Sequence, residues 1–123
     1  MKLGENKGKI TFIDLFAGIG GIRLGFEEAC RTLGLRSKCI FSSEIKPHAI
    51  SVYKENFKDK KIHGDITKID EKNIPDFDYL LAGFPCQAFS TAGKRRGFAD
   101  IRGTLFFDIV RILKKKKNHK VLF

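Results

Sequence analysis

The stretch ITFIDLFAGIGG, residues 10–21, decides the fold. Its first seven residues are mostly apolar and rich in β-branched side chains, which is typical of a buried strand. A glycine-rich turn then interrupts the run. Apolar residues follow at helical spacing up to about Leu33, and Gly34 is predicted to end that helix. A buried strand, a glycine turn and an amphipathic helix in this order indicate the first half of an α/β unit.

The rest of the chain continues this alternation. Further strands are predicted at 38–43, 61–64, 78–84 and 120–123. Pro47 favours the first turn of a helix over 47–56, and an apolar stripe predicts another helix over 104–116. The segment 88–102 has no apolar period and is predicted to be a loop. Alternating strands and helices predict a mostly parallel sheet with right-handed crossovers. The chain stops inside its last apolar run, so we expect a domain that is incomplete at its C-terminus.

Composition limits the classes of protein. At 123 residues, 42% of them hydrophobic, the chain has room for one domain with a core. No window approaches 18 uninterrupted apolar residues, and Met1–Lys9 lacks the apolar region of a secretory signal. We therefore expect a cytoplasmic protein without a membrane span. Three widely spaced cysteines with no C-x-x-C pair argue against a zinc site and predict free thiols.

Positive charge is concentrated toward the C-terminus. The formal net charge is +10, and the segment Lys94–Lys120, with ten Lys or Arg and two Asp, carries +8 of it. A basic tract beside a candidate active site indicates a polyanionic partner. For the run Lys114–Lys117 taken alone, a solvated helix end is the alternative, because cations suit a helix C-terminus.

Three features at successive strand ends indicate an adenosine-containing ligand. The glycine turn would let a ligand approach the backbone at a helix N-terminus. Arg23 stands where a dinucleotide fingerprint needs a glycine, so a pyrophosphate site is not supported. Glu44 could accept hydrogen bonds from ribose hydroxyls, and Asp65 could accept one from the adenine amine. Ile45 or Ile66 could pack on the ring. Taken alone, each acid would be interpreted as a surface carboxylate or a helix cap, and only the three signals together indicate the ligand.

The stretch GFPCQAFS, residues 83–90, contains a candidate nucleophile. Cys86 would lie at the carboxyl end of the fourth predicted strand, beside the glycine turn, and the cations at 94–96 could lower the pKa of its thiol. From residue type alone, an inert packing thiol is an equal alternative. Cys30, on the apolar stripe of the first helix, and Cys39, in the second strand, are predicted to be packing residues.

Taken in order, these motifs resemble those of the C5-cytosine DNA methyltransferases of bacterial restriction–modification systems. The matching motifs are DLFAGIGG at 14–21, the acid Glu44, GDIT at 64–67, GFPCQAFS at 83–90 and RGTLFFDI at 102–109. The pair GFPCQ and RGTLF carries most of the specificity, and the resemblance runs from about Ile10 to Phe123. It implies a Rossmann-like, S-adenosylmethionine-dependent methyltransferase fold, with a polar arm over 1–9 and a partial catalytic domain over 10–123.

The resemblance also implies roles for individual residues. The S-adenosylmethionine contacts would be Phe16, Gly18, Gly20, Glu44, Ile45, Asp65, Ile66, Pro85 and Leu105. Cys86 would be the nucleophile, which adds to C6 of a flipped-out cytosine so that C5 can accept the methyl group. The contacts to double-stranded DNA would be Gln87, Ser90, Lys94, Arg95 and Arg96. Ser90–Asp100 would form a loop that closes over the DNA. No metal is implied.

Later motifs of the family are absent from this sequence. They are a Glu-Asn-Val stretch whose Glu holds the cytosine N3, an Arg-containing motif, the target-recognition region and a closing C-terminal helix. We therefore expect a truncated product, one half of a split enzyme with a complementary polypeptide as partner, or a cloned fragment. We expect little or no turnover by the isolated chain. Two other functions stay open: an RNA cytosine-5 methyltransferase, and a non-catalytic cofactor- or DNA-binding remnant.

Overall fold

The computed structural model describes residues 9–59, 61–83, 101–116 and 120–122, with the backbone alone at 101–105 and 122. The predicted N-terminal arm at 1–9 therefore lies outside the described residues except for Lys9. Most of the predicted loop at 88–102 does so as well. No helix within the described ranges is long and apolar enough to cross a membrane.

Strands and helices alternate along the described chain, as the sequence predicts. The strands are β1 (Lys9–Leu15), β2 (Arg36–Ser42), β3 (Tyr79–Ala82) and β4 (Lys120–Leu122). The α-helices are α1 (Gly21–Thr32), α2 (Pro47–Phe57) and α3 (Ile101–Lys115). Two short 3₁₀ helices, Ile66–Lys68 and Glu71–Asn73, follow α2. The sequence did not predict them, since three residues are too few to show a period.

The four strands form one parallel sheet in the order β2-β1-β3-β4. This confirms the predicted α/β class. β1 lies at the centre of the sheet, and its side chains Phe12, Ile13 and Leu15 are fully buried. The chain moves from β1 to one side through β2 and returns to the other side through β3. In parallel sheets of this kind, ligands bind at the carboxyl ends of the strands where the order reverses. A ligand site is therefore expected beside Phe16, the residue that follows β1.

The strand predicted at 61–64 is wrong in extent. Only His63 continues the sheet, through an isolated parallel bridge with Ser43 and two backbone hydrogen bonds of 2.8 and 3.0 Å. The chain leaves the sheet two residues later, because Asp65 caps the 3₁₀ helix Ile66–Lys68. A capping residue placed so close to the bridge stops the strand from extending.

Helix α1 ends as predicted, and its predicted apolar stripe is only partly buried. Gly34 adopts a left-handed conformation with φ 74°, and the amide of Leu35 donates to Cys30 O over 2.8 Å, which is a glycine-terminated helix end. Cys30 is buried as predicted. Leu33 is 71% exposed, because it lies beyond the last helical turn. Ala29, which lies at helical spacing between Phe26 and Leu33 in the sequence, is also exposed.

Helix α3 begins earlier than predicted. It starts at Ile101, so the last two residues of the predicted loop are helical. The glycine at position 103 lowers helix propensity by about 1 kcal/mol, but tertiary packing often outweighs such a term. Ile109 and Ile112 are buried in the hydrophobic core, as their spacing predicts.

Candidate functional site

The glycine turn after β1 has an unusual backbone. Phe16, Gly18 and Gly20 adopt positive φ angles of 52°, 59° and 96°. Glycine adopts such angles freely, whereas a residue with a side chain, such as Phe16, is strained by about 1–2 kcal/mol. The turn is held by hydrogen bonds from Ala17 N to Ser43 O, 3.0 Å, and from Gly20 N to Ala17 O, 2.9 Å. Strain of this kind is concentrated at functional sites.

Glu44 joins the end of β2 to this turn. Its Oε1 accepts a hydrogen bond of 2.7 Å from Gly18 N. Its Oε2 accepts bonds of 3.0 Å from the amides of Ile45 and Lys46. An ionised carboxylate has about four acceptor positions, so these three bonds leave room for about one donor from a ligand. Glu44 thus serves as a structural tie and remains available as a ligand acceptor.

A small cavity of about 50 Å³ lies at the carboxyl edge of the sheet. Its lining residues are Phe16, Ser43, Glu44, Ile45, Gly64, Asp65 and Ile66. Five of the residues assigned to the cofactor from the sequence therefore line one cavity, although they come from three separate segments. The cavity is smaller than the roughly 300–1,000 Å³ that is typical of whole ligand pockets, so the lining residues rather than the volume indicate a site.

Asp65 faces this cavity and also caps the 3₁₀ helix that follows it. Its Oδ1 accepts hydrogen bonds from Thr67 N, 2.9 Å, and Thr67 Oγ1, 2.7 Å. These bonds lower the pKa of the Asp65 carboxyl, so the group is an acceptor at neutral pH. Within the described part of the chain, its Oδ2 makes no hydrogen bond. The helix-cap alternative is therefore correct, and it leaves one oxygen for a ligand.

The two predicted glycines of the turn are not among the residues that line the cavity. Gly18 contributes the amide that binds Glu44. Gly20 packs against α2, where a Cβ atom would come within 2.1 Å of the Phe57 ring. Its structural role is close packing, together with a backbone angle that favours glycine.

A buried polar network connects β1, α1 and α2, and none of its residues lines the cavity. The Tyr53 hydroxyl donates to Asp14 Oδ2 over 2.9 Å. Arg23 Nη1 donates to the Tyr53 oxygen, 2.9 Å, and to Asp59 Oδ2, 2.6 Å. Arg23 Nε also donates to Glu27 over 2.9 Å. The sequence pattern did not predict this network, although the i, i+4 spacing of Arg23 and Glu27 is a local signal of it.

Burial changes the titration of this network. Desolvation raises the pKa of Asp14 to about 7, although the hydrogen bond from Tyr53 and the charge of Arg23 act in the opposite direction. Burial also raises the pKa of the Tyr53 hydroxyl. A buried carboxyl with an elevated pKa is a common feature of functional sites. Here the carboxyl is buried and is not among the residues that line the cavity.

The two described cysteines have properties of packing residues. Burial raises the pKa of the Cys39 thiol to about 11 and also raises that of Cys30. Both are free thiols. Since the thiolate is the reactive form, neither is activated as a nucleophile.

Several predicted site residues cannot be placed. Pro85, Cys86, Gln87, Ser90, Lys94, Arg95 and Arg96 lie outside the described residues, as does the side chain of Leu105, whose backbone belongs to α3. Gly83, which opens the GFPCQ motif, is described. A Cβ atom there would lie 3.2 Å from both Phe16 O and Ile22 Cδ1. The motif therefore begins in close contact with the glycine turn.

Part of the basic tract is used within the fold. Arg111 pairs with Glu71 and Asp108, and Lys116 lies 3.4 Å from Asp76 and donates to the carbonyl of Ile74. Lys114 and Lys115 are exposed in the last turn of α3, as the helix-end alternative expects.

The parallel sheet, the glycine turn and the cavity at its carboxyl edge define a Rossmann-like methyltransferase fold. In solved structures, the S. pombe Dnmt2 methyltransferase has a TM-score of 0.63 at 20% identity, over 89% of this chain and 31% of that one. The Spodoptera frugiperda DNMT2 E260A/E261A/K263A mutant has a TM-score of 0.60 at 28% identity, over 85% of this chain and 31% of that one.

The particular family is shown by sequence. The model of the C-5 cytosine-specific DNA methylase family matches residues 10–123, so the chain belongs to this family. Type II methyltransferase M.NlaIV of Neisseria lactamica is 65% identical over 109 residues, 89% of this chain and 26% of the relative. Type II methyltransferase M.HhaI of Haemophilus parahaemolyticus is 54% identical over 114 residues, 93% of this chain and 32% of the relative. The chain spans about a quarter to a third of the length of these curated relatives.

Proposed function

We propose that this chain is the cofactor-binding and nucleophile portion of a DNA (cytosine-5-)-methyltransferase that uses S-adenosylmethionine. One observation carries the proposal: residues assigned to the cofactor from three separate segments line a single cavity at the carboxyl edge of the sheet. Family membership supports it independently. No observation favours the RNA-directed alternative or the non-catalytic remnant.

The chemistry of the cavity fits an adenosine-containing cofactor. Asp65 would accept a hydrogen bond from the adenine amine, and Glu44 would accept one from a ribose hydroxyl. Ile66 and Ile45, which is 63% exposed, would pack against the faces of the base. Phe16, Gly18 and Gly20 would shape the turn beside the rest of the molecule. When bound, S-adenosylmethionine supplies an electrophilic methyl group.

Cys86 would act on the nucleobase. Its thiolate would add to C6 of cytosine, which raises the electron density at C5. Once C5 has accepted the methyl group, loss of the C5 proton would re-form the C5–C6 double bond and release the thiolate. The base must be flipped out of the duplex, since a stacked base hides the ring faces. Pro85 would shape the backbone before the nucleophile, and Gln87, Ser90, Lys94, Arg95 and Arg96 would contact the DNA. The side chain of Leu105 would contact the cofactor.

A covalent trap tests this function. The chain replaces the matching part of M.NlaIV in a chimera, which supplies the later family motifs, and the chimera is offered a duplex that the relative methylates, containing 5-fluorocytosine. Fluorine at C5 cannot leave as a proton does, so the adduct with the nucleophile accumulates. Mass spectrometry should place the adduct on Cys86.

The matched variants are Cys86→Ser, which should form no adduct, and Cys39→Ser, which should form it normally. An adduct on Cys30 or Cys39, or methylation at the full rate by Cys86→Ser, would overturn the assignment.

A further inference from the structure

Arg111 links helix α3 to the wall of the candidate cofactor cavity. Its Nη2 donates to the carbonyl of Ile66 and its Nη1 to Glu71 Oε1, each over 2.6 Å. Its Nε donates to Asp108 Oδ1 over 2.9 Å. A planar guanidinium with three acceptors in different directions has a fixed orientation. Arg111 therefore holds one backbone carbonyl in place rather than forming a loose surface ion pair.

The residue it holds is part of the cavity. Ile66 lines the cavity, and its side chain is only 3% exposed. Asp65 precedes it, so a movement of the Ile66 backbone would move the Asp65 carboxylate as well. The neighbouring residues Thr67 and Lys68 are exposed, and packing around them offers little restraint. The bond from Arg111 is thus a main polar restraint between α3 and this segment.

We infer that Arg111 is a positioning residue that sets the selectivity of the cavity for adenine. This inference rests on the proposed function, in which Asp65 accepts a hydrogen bond from the adenine amine. Arg111 touches neither the base nor the reacting atoms. It acts by keeping Asp65 and Ile66 at the distance and angle that recognise the amine. If Arg111 only stabilised the fold, its removal would lower the free energy of unfolding without changing the preference for adenine over another base.

Base selectivity separates these two roles. Calorimetry on the 123-residue chain compares S-adenosylhomocysteine with its hypoxanthine counterpart, in which a carbonyl replaces the amine. The parent should prefer the adenine ligand by about tenfold or more, since a hydrogen bond to a charged acceptor is lost in the counterpart. Asp65→Asn should abolish the preference. Arg111→Gln should lower it by roughly an order of magnitude, as is common for residues that orient a ligand-binding group.

Two further variants make the result specific. Arg111→Lys keeps the charge but cannot bridge three acceptors, so it should also lose selectivity. It replaces Arg111→Gln in the test if that variant does not fold. Arg31→Gln removes an equal charge from an exposed pair with Glu28 and should keep the preference of the parent.

The possible failures are distinguishable. If Asp65→Asn loses the preference but both Arg111 variants keep it, the inference is wrong and the proposed function stands. If the parent shows no preference for adenine, the assignment of Asp65 in the proposed function fails, and the inference fails with it.

Discussion

At the scale of single residues, the sequence identified the two acids that line the cavity, Glu44 and Asp65, but missed the buried polar network around Arg23. Glu44 and Asp65 follow segments that resemble strands, and the ends of parallel strands meet at one edge of a sheet. Position along the chain was therefore sufficient to find them. Arg23 is different: it contacts Tyr53 and Asp59, which lie 30 and 36 residues further along the chain. A helix pattern cannot show that a charged residue has distant partners that allow its burial.

Asp14 gives a pH-dependent prediction at this scale. Its pKa is about 7 in the fold and close to 3.9 in an unfolded chain. Between these values the native state binds more protons than the unfolded state, so the contribution of Asp14 to stability falls as pH rises from about 4 to 7. The loss is at most about 4 kcal/mol. Urea unfolding at several pH values should show it when the parent is compared with Asp14→Asn.

The other carboxyl groups are the same in the parent and in Asp14→Asn, so their effects on stability largely cancel when the two proteins are compared. The stability of the parent minus that of Asp14→Asn should decrease across this pH range and stay constant above about pH 8. A difference that does not change with pH would show that Asp14 titrates normally.

At the scale of secondary structure, apolar runs and helical spacing predicted most elements, and local backbone chemistry decided the errors. The strands β1, β2 and β3 were recognisable as short apolar runs, and α3 was recognisable because its apolar residues share a helical period. The expected strand at 61–64 failed because Asp65 forms a cap two residues after the bridge at His63. Single-residue effects of this kind carry no period that a sequence pattern could reveal.

The glycine turn gives a graded prediction for three alanine substitutions. Gly20→Ala should destabilise the fold by about 3 kcal/mol or more, because a positive φ and a clash with Phe57 act together. Gly34→Ala has a positive φ but open space around it, so about 1–2 kcal/mol is expected. Gly21→Ala has neither obstacle and lies in the first turn of α1. It should be neutral or stabilising by up to about 1 kcal/mol.

Chemical denaturation measures the three variants under one condition. The order of stability should be Gly21→Ala, then Gly34→Ala, then Gly20→Ala. Equal losses for Gly20→Ala and Gly34→Ala would show that Phe57 does not restrict the turn.

At the scale of the whole molecule, the count of positive charges predicts a polyanionic partner, but the structure shows that some of these charges are paired within the fold. Arg111 and Lys116 belong to the basic tract but are paired within the fold. Lys114 and Lys115 are exposed and remain available to phosphates. The sequence could count these charges but could not show which of them already had partners.

Nucleic-acid binding by the chain should therefore be largely independent of sequence and fall steeply as salt rises. The slope of log affinity against log salt is about −0.9 for each phosphate contacted. The double variant Lys114→Gln/Lys115→Gln should make this slope less negative by up to about 2. A matched pair on α2 and its cap, Lys54→Gln/Lys58→Gln, should leave it unchanged. Fluorescence anisotropy with labelled duplexes measures both. Affinity that ignores salt, or a sharp sequence preference, would contradict this prediction.

The most direct test of the cofactor cavity is calorimetry of S-adenosylhomocysteine binding to the chain. Weak binding by the parent is expected, and Glu44→Ala should weaken it by about tenfold or more, because a charged acceptor is lost and the turn at Gly18 is released. Glu55→Ala, which removes an exposed carboxylate from α2, should bind like the parent. Equal affinities for the parent and Glu44→Ala would show that this cavity is not the cofactor site.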